Sequence, residues 1–394
     1  MDLGSHPVLI VMAIAVASSL LTELRIGDLR VPVVVWEMML GVVIGPQVLG
    51  LARAEGLLDW LGGAVGLAAL FFMAGMDLDL RKIKGRPLSL ALRGWALSLV
   101  LGLSAAAFLY RLSLIEVPFM VALALTTTAM GTFMPILRDA GNFDSKFGSL
   151  VLAAGALGEF GPVIVVSLLL TRKFGAWQEA ALTLGLVALA FAAAFIALGF
   201  RPPKILDLLE RTMHSSTQLP VCISILLLAC FDVLSERFGL EAVLGAFAAG
   251  MVVSLASRGE AGRVFREKME AICFGFFVPF FFVVSGVNLD LGALLHSAKT
   301  LLLVPLFLTL FLVARGAPVF LYRRDLAKDE RWPFALYSAT ALPMIVAITT
   351  IGVRTGRMKP DVAAALVGAG LLSVLLFPMI AGALLSKSAQ TANS

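Results

Sequence analysis

The stretch Phe71-Phe-Met-Ala-Gly75-Met-Asp77-Leu-Asp79-Leu80 has a counterpart with the same spacing in Phe282-Val-Val-Ser-Gly286-Val-Asn288-Leu-Asp290-Leu291. A second pair consists of Trp36-Glu37-Met-Met-Leu40-Gly41 and Leu240-Glu241-Ala-Val-Leu244-Gly245. The members of each pair lie an odd number of apolar segments apart, so the two copies would cross a membrane in opposite directions. Such inverted-topology repeats are common in secondary transporters. Chance similarity between apolar, glycine-containing helices is the alternative.

The composition is that of a membrane protein. Of the 394 residues, 60% are hydrophobic and 14% are charged, and the mean hydropathy is +0.97. Apolar segments of membrane-spanning length recur about 13 times. We therefore predict an all-α polytopic membrane protein with about 13 transmembrane helices. The segments lie at approximately residues 7–23, 31–49, 57–76, 86–110, 116–136, 146–170, 177–199, 217–234, 239–254, 270–292, 300–321, 331–353 and 361–384.

Short links between the segments leave no room for a soluble domain. We predict one transmembrane transporter domain over residues 1–386 and a short cytoplasmic tail over 387–394. Within the domain, the repeats are expected at about 7–170 and 217–384, joined by a linking helix at about 177–199.

The basic residues predict an orientation. Most of the 31 lysines and arginines lie on alternate links, which the positive-inside rule assigns to the cytoplasm. The N-terminus is then outside and the C-terminus inside, in a multi-pass protein of the cell inner (plasma) membrane. The first segment lacks a basic n-region and a cleavage site, so we expect it to be retained. The net charge of +5 calls for no nucleic-acid partner.

Glu159 lies near the middle of the apolar segment 146–170. A charged side chain at the centre of a membrane helix costs roughly 2.5 to 3.5 kcal/mol on insertion scales. Such residues therefore face a water-filled cavity, a partner or a transported ion. This position makes Glu159 the first candidate for the functional site.

Two segments are expected to be interrupted helices. Thr126, Thr127 and Thr128 are followed by Gly131 and Pro135, and in the other repeat Thr340 precedes Pro343. Proline removes a backbone donor, while threonine hydroxyls satisfy freed backbone groups or coordinate an ion. Ordinary proline-kinked helices with packed threonines are the alternative. We predict that both segments depart from regular helix and meet near Glu159.

Other acids are weaker candidates. Glu37 and Glu241 occupy positions related by the repeat, and an interfacial or dimer-contact role is favoured over transport. Asp77, Asp79 and Asp290 lie at predicted helix ends, where solvated or capping roles are usual.

The chain resembles the Kef-type and sodium/proton members of the monovalent cation:proton antiporter-2 family along nearly its full length. The matching stretches are Val31-Pro32 through Gly41-Val-Val-Ile-Gly45-Pro46, Phe71 to Leu80, Thr126-Thr127-Thr128 with Pro135-Ile-Leu, Leu244-Gly245-Ala-Phe247-Ala-Ala-Gly250, and Phe280 to Leu291. The resemblance implies a homodimer, with each chain divided into a dimerisation domain and a mobile core domain. It also implies two interrupted helices that cross beside an acid on the sixth helix.

The expected acid pair is altered in this chain. Family members carry Asp-Asp, Asn-Asp or Gln-Asp, and here the matching residues are Gly158-Glu159. The resemblance places the ion-binding carboxylate at Glu159 and a supporting cation at Arg315. Arg315 pairs with Glu159 or with a backbone carbonyl, or else it snorkels to the inner face.

One titratable carboxylate in an alternately opened cavity predicts exchange of Na+ or K+ for H+. Glu159 with Thr126 to Thr128 would bind the ion, supported by Gly158, Arg315, Thr340 and Pro343. A single carboxylate gives one-for-one, electroneutral exchange. A cation channel and a sodium-coupled organic-anion symporter are the alternatives. We expect no enzymatic activity and no cofactor, and we expect that a regulatory domain is either missing or supplied by a separate subunit.

Overall fold

Among the residues that it describes, the computed structural model contains helices and their connecting turns and no strand, as the composition predicts. Those residues are 7–23, 31–77, 85–139, 142–143, 145–170, 211–212, 215, 217–237, 242–257, 259–295 and 297–393. Asp79, Glu241 and the linking helix predicted at 177–199 lie outside them, so the count of about 13 helices stays a prediction. Within them, six helices are long and apolar enough to cross a membrane: Leu57–Asp77, Arg86–Arg111, Gly262–Val287, Ala298–Tyr322, Arg331–Arg354 and Pro360–Leu385.

The helices follow the predicted apolar segments closely in chain order. They are α1 Pro7–Glu23, α2 Val33–Ile44, α3 Leu57–Asp77, α4 Arg86–Arg111, α5 Pro118–Leu125, α6 Met130–Asp139, α7 Lys146–Leu170, α8 Leu219–Arg237, α9 Ala242–Ala256, α10 Gly259–Ile272, α11 Val278–Val287, α12 Leu291–Leu295, α13 Ala298–Phe311, α14 Arg331–Ala339, α15 Pro343–Arg354 and α16 Pro360–Asn393. A π-helical turn, Leu61–Gly66, lies within α3, and another, Cys273–Phe277, joins α10 to α11.

The boundaries differ from the prediction at two places. The charged stretch before residue 270 is helical from Gly259, because Phe265, Met269 and Cys273 recur every four residues and are all buried. At the other end, the helix α16 continues through the predicted tail as far as Asn393, since neither glycine nor proline interrupts it there.

The chain divides into two compact units. The first comprises the described parts of Met1–Ala17, Glu37–Asp79 and Ile164–Asn288. Its apolar core brings Val11 of α1 and Leu58 of α3 together with Phe280 and Val283 of α11. These residues hold the two ends of this unit's sequence in one cluster.

Close backbone contacts between glycines define the packing of this first unit. A Cβ added to Gly286 of α11 would lie 3.0 Å from Gly41 Cα in α2, and one added to Gly75 of α3 would lie 3.1 Å from Gly250 Cα in α9. Each contact therefore joins a helix of one predicted repeat to a helix of the other, in the reciprocal manner that two copies related by a two-fold axis produce. The packing nevertheless makes Gly250 the counterpart of Gly41. The pairing of Gly41 with Gly245, taken from the sequence, is wrong by five residues.

Asp77, a helix-end acid of the first unit, forms an ion pair where the sequence predicted a solvated or capping role. The Asp77 carboxylate forms an ion pair of 2.7 Å with Arg266 of α10, and Arg266 also donates to the Met76 carbonyl. A cation near a helix C-terminus is stabilising there. Glu37 is different, since its side chain is only 4% exposed within a single chain. Such burial argues against the predicted dimer-contact role.

The second unit comprises the described parts of Ser18–Trp36, Leu80–Val163 and Leu289–Ser394. The long helix α16 packs against α13, α14 and α15, while α4 packs against α5. Asp290 accepts the backbone N–H of Ala293 at 2.8 Å and so caps α12, as predicted. This unit holds every residue that the sequence assigns to the ion site.

Asp325 connects three parts of the second unit. Its carboxylate accepts two hydrogen bonds from Arg86 at the start of α4, of 2.7 and 2.8 Å, and lies 3.7 Å from Lys146 at the start of α7. The Asp325 side chain is 6% exposed, although both cations are largely exposed. The Arg86 hydrogen bonds hold the pKa of the Asp325 carboxyl below its ordinary value.

Asp325→Asn is expected to lower the melting temperature of the purified protein by a few degrees at neutral pH. Because the pKa of Asp325 is lowered on folding, its stabilisation is complete above the unfolded pKa of about 4 and is lost as the pH falls through the folded pKa. Thermal unfolding at a series of pH values measures this difference. Asp329→Asn in the same loop is the matched control. If Asp325→Asn lowers the melting temperature no more than the control does, the ion pairs of Asp325 do not stabilise the fold.

Candidate functional site

The first interrupted helix breaks at the three threonines. Helix α5 ends at Leu125 and α6 begins at Met130, so Thr126 to Ala129 form the break. The Thr126 hydroxyl donates to the Leu123 carbonyl and the Thr127 hydroxyl to the Ala124 carbonyl, both in the last turn of α5. Each of these hydrogen bonds is 2.8 Å long. The same two carbonyls also accept the backbone N–H groups of Thr126 and Thr127, at 3.0 and 3.3 Å, so each threonine closes the helix end through both its backbone and its side chain. Pro135, in contrast, lies inside α6 and does not cause the break.

The second interrupted helix breaks at Thr340. Helix α14 ends at Ala339 and α15 begins at Pro343, where a missing N–H is tolerated at the first helical position. The Thr340 hydroxyl donates to the Leu336 carbonyl at 3.0 Å. Within the break, buried Ser373 of α16 accepts the Ala341 N–H at 3.0 Å and donates to the Ala341 carbonyl at 2.8 Å. Ser373 was not a sequence candidate.

The two breaks cross and are bonded to each other. The Ala129 N–H donates to the Thr340 carbonyl at 2.7 Å, and the Thr128 hydroxyl donates to the Ser338 carbonyl at 2.5 Å. Backbone groups that each helix cannot satisfy internally are thus satisfied by the other. The predicted interruption and meeting of these segments is confirmed.

Pro162 attaches this crossing to helix α7. Proline has no N–H, so the carbonyl of Gly158, four residues earlier, loses its helical donor. The Thr128 N–H donates to that carbonyl instead, at 3.0 Å. The crossing therefore lies against the residue that precedes Glu159. The spacing Gly158-x-x-x-Pro162 was a signal in the sequence that pattern reading missed.

Arg315 lies in a π-helical turn, Leu312–Gly316, which continues α13. Pro318 follows and removes the N–H that would bond to the Ala314 carbonyl, a local cause for irregular helix. The Arg315 side chain is 3% exposed, so the snorkelling alternative is wrong.

Neutral oxygens surround the Arg315 guanidinium. Its Nε donates to the Thr128 hydroxyl at 2.9 Å, its Nη1 to the Ser98 hydroxyl at 3.2 Å and its Nη2 to the Ala154 carbonyl at 2.8 Å. Ser98 in turn donates to the Gly94 carbonyl at 3.0 Å. A backbone carbonyl, one of the predicted partners of Arg315, is thus observed. The burial of this cation depends on these oxygens, since an unsolvated buried charge is expensive.

The position of Gly158 explains the altered acid pair. A Cβ there would lie 2.7 Å from Thr128 Cβ and would overlap the Thr128 hydroxyl and Arg315 Nη2. The space that a larger residue would occupy is filled by the guanidinium. Glu159 follows directly on α7, and its side chain is partly exposed.

Trp95 of helix α4 packs against α7 near Gly161, two residues after Glu159. A Cβ added to Gly161 would overlap the Trp95 ring, so the indole lies directly on the α7 backbone. The indole Nε1 is buried without a protein partner. Trp95 and Ser98 are site neighbours that gave no signal in the sequence.

Known proteins are similar to this chain in sequence. The family model described as "Sodium/hydrogen exchanger, transmembrane" matches residues 11–387. The chain is 26% identical to the putative Na(+)/H(+) antiporter YjbQ of Bacillus subtilis (strain 168), over 89% of this chain and 58% of that protein. It is also 26% identical to the Na(+)/H(+)-K(+) antiporter GerN of Bacillus cereus, over 92% of this chain and 93% of the relative.

A solved structure shares the fold. The sodium proton antiporter MjNhaP1 from Methanocaldococcus jannaschii at pH 8 superposes with a TM-score of 0.67 at 17% identity, covering 98% of each chain. The chain spans less than two thirds of YjbQ, the first of these relatives. These matches confirm the cation:proton antiporter resemblance that the motifs indicated.

Gly158→Ala is expected to destabilise the protein, because its methyl group would push against Thr128 and the Arg315 guanidinium. Overpacking of this kind costs about 1 to 3 kcal/mol. Gly368→Ala in α16 is the matched control, since a Cβ there meets nothing closer than 3.6 Å and alanine favours a helix. Thermal unfolding of both purified variants measures the difference. Equal melting temperatures would show that the site has room for a side chain.

Proposed function

Because the chain belongs to the sodium/hydrogen exchanger family, we propose that it exchanges a monovalent cation, Na+ or K+, for H+ across a membrane by alternating access. The observation that supports this most strongly is the position of Glu159. It directly follows Gly158, whose carbonyl is bonded to the crossing of the two interrupted helices. A carboxylate beside irregular backbone in a membrane protein is the arrangement used for coupling ions.

In the proposed cycle, Glu159 binds either a proton or the cation through the same carboxylate oxygens. Competition for one group couples the two fluxes. The ionised, empty carboxylate would have to cross the apolar barrier as a bare charge, which is expensive. The protein therefore changes its access only with Glu159 neutralised, by H+ or by the cation.

The three threonines have different proposed roles. The Thr128 hydroxyl already accepts from Arg315 and donates to Ser338, so it holds the guanidinium in place. Thr126 and Thr127 use their protons on local carbonyls, and their remaining lone pairs are suitable cation ligands. Thr340 and Pro343 shape the second break.

Arg315 contributes a fixed positive charge in this proposal. A guanidinium does not release its proton in a working cycle. Its charge beside Gly158 repels a second cation, so only Glu159 receives one. One carboxylate and one permanent cation give exchange of one cation for one proton.

A channel or a sodium-coupled organic-anion symporter remains the competing function. A channel conducts without moving protons, and a symporter of this kind requires binding of an organic anion. Since the family is one of transporters, transport without enzymatic chemistry is proposed.

The chain is a multi-pass membrane protein. We further propose the inner (plasma) membrane, with the N-terminus outside and the C-terminus in the cytoplasm, on the basis of the basic links. A homodimer and a separate regulatory subunit are proposed from the family resemblance.

Glu159→Gln is expected to abolish cation-driven proton movement, because an amide neither titrates nor neutralises a cation. Proteoliposomes that contain a pH-sensitive dye, challenged with a series of alkali chlorides, measure the exchange and its preference between Na+ and K+. Glu159→Asp is the matched control and should retain exchange. Coupled exchange by the Gln variant at more than about a tenth of the wild-type rate refutes the assignment. A loss of less than about ten-fold would mean that the barrier rises by less than about 1.4 kcal/mol without the carboxylate.

Transport is expected to be electroneutral. One cation and one proton are exchanged on one carboxylate, so no net charge crosses the membrane. Solid-supported membrane recordings and proteoliposomes held at an imposed potential test this. A steady transport current, or a rate that follows the potential, would mean that a second group carries charge.

A further inference from the structure

An apolar groove with a cationic end lies on the second unit, on the far side of the π-helical turn from the ion site residues. It encloses about 470 Å³ between the Leu312–Gly316 turn, the 3-10 segment Ala317–Tyr322 and the start of α14. Its lining includes Val313, Ala317, Phe320, Arg323, Arg331 and Trp332. A volume of this size is typical of small-molecule sites.

The apolar wall of the groove is exposed. Phe320 is 60% exposed and Trp332 is 65% exposed, and Val313 is also exposed. These residues lie on, or at the end of, helices long enough to span a membrane, Ala298–Tyr322 and Arg331–Arg354. In a bilayer such a surface is covered by lipid acyl chains, and tryptophan is favoured at the interface.

The cationic end carries two guanidiniums. Arg323 stacks over the Phe320 ring at 4.4 Å, and Arg331 Nη2 donates to the Arg323 carbonyl at 3.1 Å. Arg331 Nε is buried and has no protein partner. Both positive charges therefore lie at the same end of the groove, and one of their donors is unused.

Two neighbouring acids, Asp325 and Glu330, have other partners. Asp325 is bonded to Arg86 and lies near Lys146, and Glu330 accepts the backbone N–H of Ala327 at 2.8 Å. Among the described residues, neither Arg323 nor Arg331 has a carboxylate within ion-pair distance. The groove thus combines an apolar wall with two guanidiniums that form no ion pair among the described residues.

We propose that this groove binds one phospholipid with an anionic headgroup. An acyl chain lies along Val313, Ala317 and Trp332, and the headgroup phosphate lies between the Arg323 and Arg331 guanidiniums. Guanidiniums match phosphate geometry, and basic pockets between membrane helices hold anionic headgroups. A free phosphate would leave the apolar wall unused, which favours a lipid.

Lipid binding to the purified protein in detergent tests the proposal. Native mass spectrometry and thermal unfolding are compared for phosphatidylglycerol and for phosphatidylcholine with the same acyl chains. Phosphatidylglycerol should be retained more strongly and should raise the melting temperature more. Each of Arg323→Gln and Arg331→Gln should weaken that preference about five-fold. This is the change in affinity for an anionic lipid that is expected when one arginine near the membrane surface loses its charge. Arg324→Gln, in the same loop but outside the groove, should leave it unchanged.

Two further arms identify the ligand. Val313→Trp fills the groove from an exposed position, and it should weaken retention of both lipids while leaving the lipid-free melting temperature near that of the wild type. Inorganic phosphate should give no comparable stabilisation. Equal binding of the two lipids, an unchanged preference in the Arg323→Gln/Arg331→Gln variant, or full stabilisation by phosphate alone overturns the proposal.

Discussion

The hydrogen bond from Thr128 N–H to the Gly158 carbonyl is the constraint on which the site depends. It exists because Pro162 cannot donate to that carbonyl and because the break at Thr126 to Ala129 frees a donor. Two defects in regular helix are thus paired, and neither backbone group is left without a partner. The pairing places the crossing of the interrupted helices beside the residue that precedes Glu159.

Burial of Arg315 follows from the same geometry. Two hydroxyls and two backbone carbonyls accept hydrogen bonds from the guanidinium and stabilise its charge. In two-acid relatives, by resemblance, the residue before the ion-binding acid is itself polar. Here the guanidinium fills that space, and glycine is required because even a methyl group would overlap it. The glycine at position 158 and the position of the Arg315 guanidinium therefore depend on each other, because both use the same space.

Sequence reasoning predicted the parts of the site that are governed by backbone chemistry. Thr126 to Thr128 and Pro343 mark the helix breaks because threonine and proline act on the adjacent backbone itself. Ser98, Ser373 and Trp95 could not be predicted, since a serine or tryptophan in an apolar helix has no pattern that reveals its partner across the fold. Helix α10 was missed because its charges outweighed the four-residue spacing of its buried residues.

The repeat was predicted from Gly75 and Gly286, but Gly41 was matched to Gly245 when the packing requires Gly250. Similar residue types in apolar helices do not determine how the two repeats align, whereas backbone contacts between the helices do. The identity of the repeat was therefore accessible to sequence, and its alignment was not.

The reciprocal glycine contacts also have a mechanical consequence. Where backbones touch, no layer of side chains lies between them to rearrange, and a shift along either helix would drive a Cα into a carbonyl. Contacts of this kind at Gly41 with Gly286 and at Gly75 with Gly250 fasten two pairs of helices, so that shear within each pair is resisted. Within the first unit, each of these two helix pairs therefore resists sliding of one helix along the other.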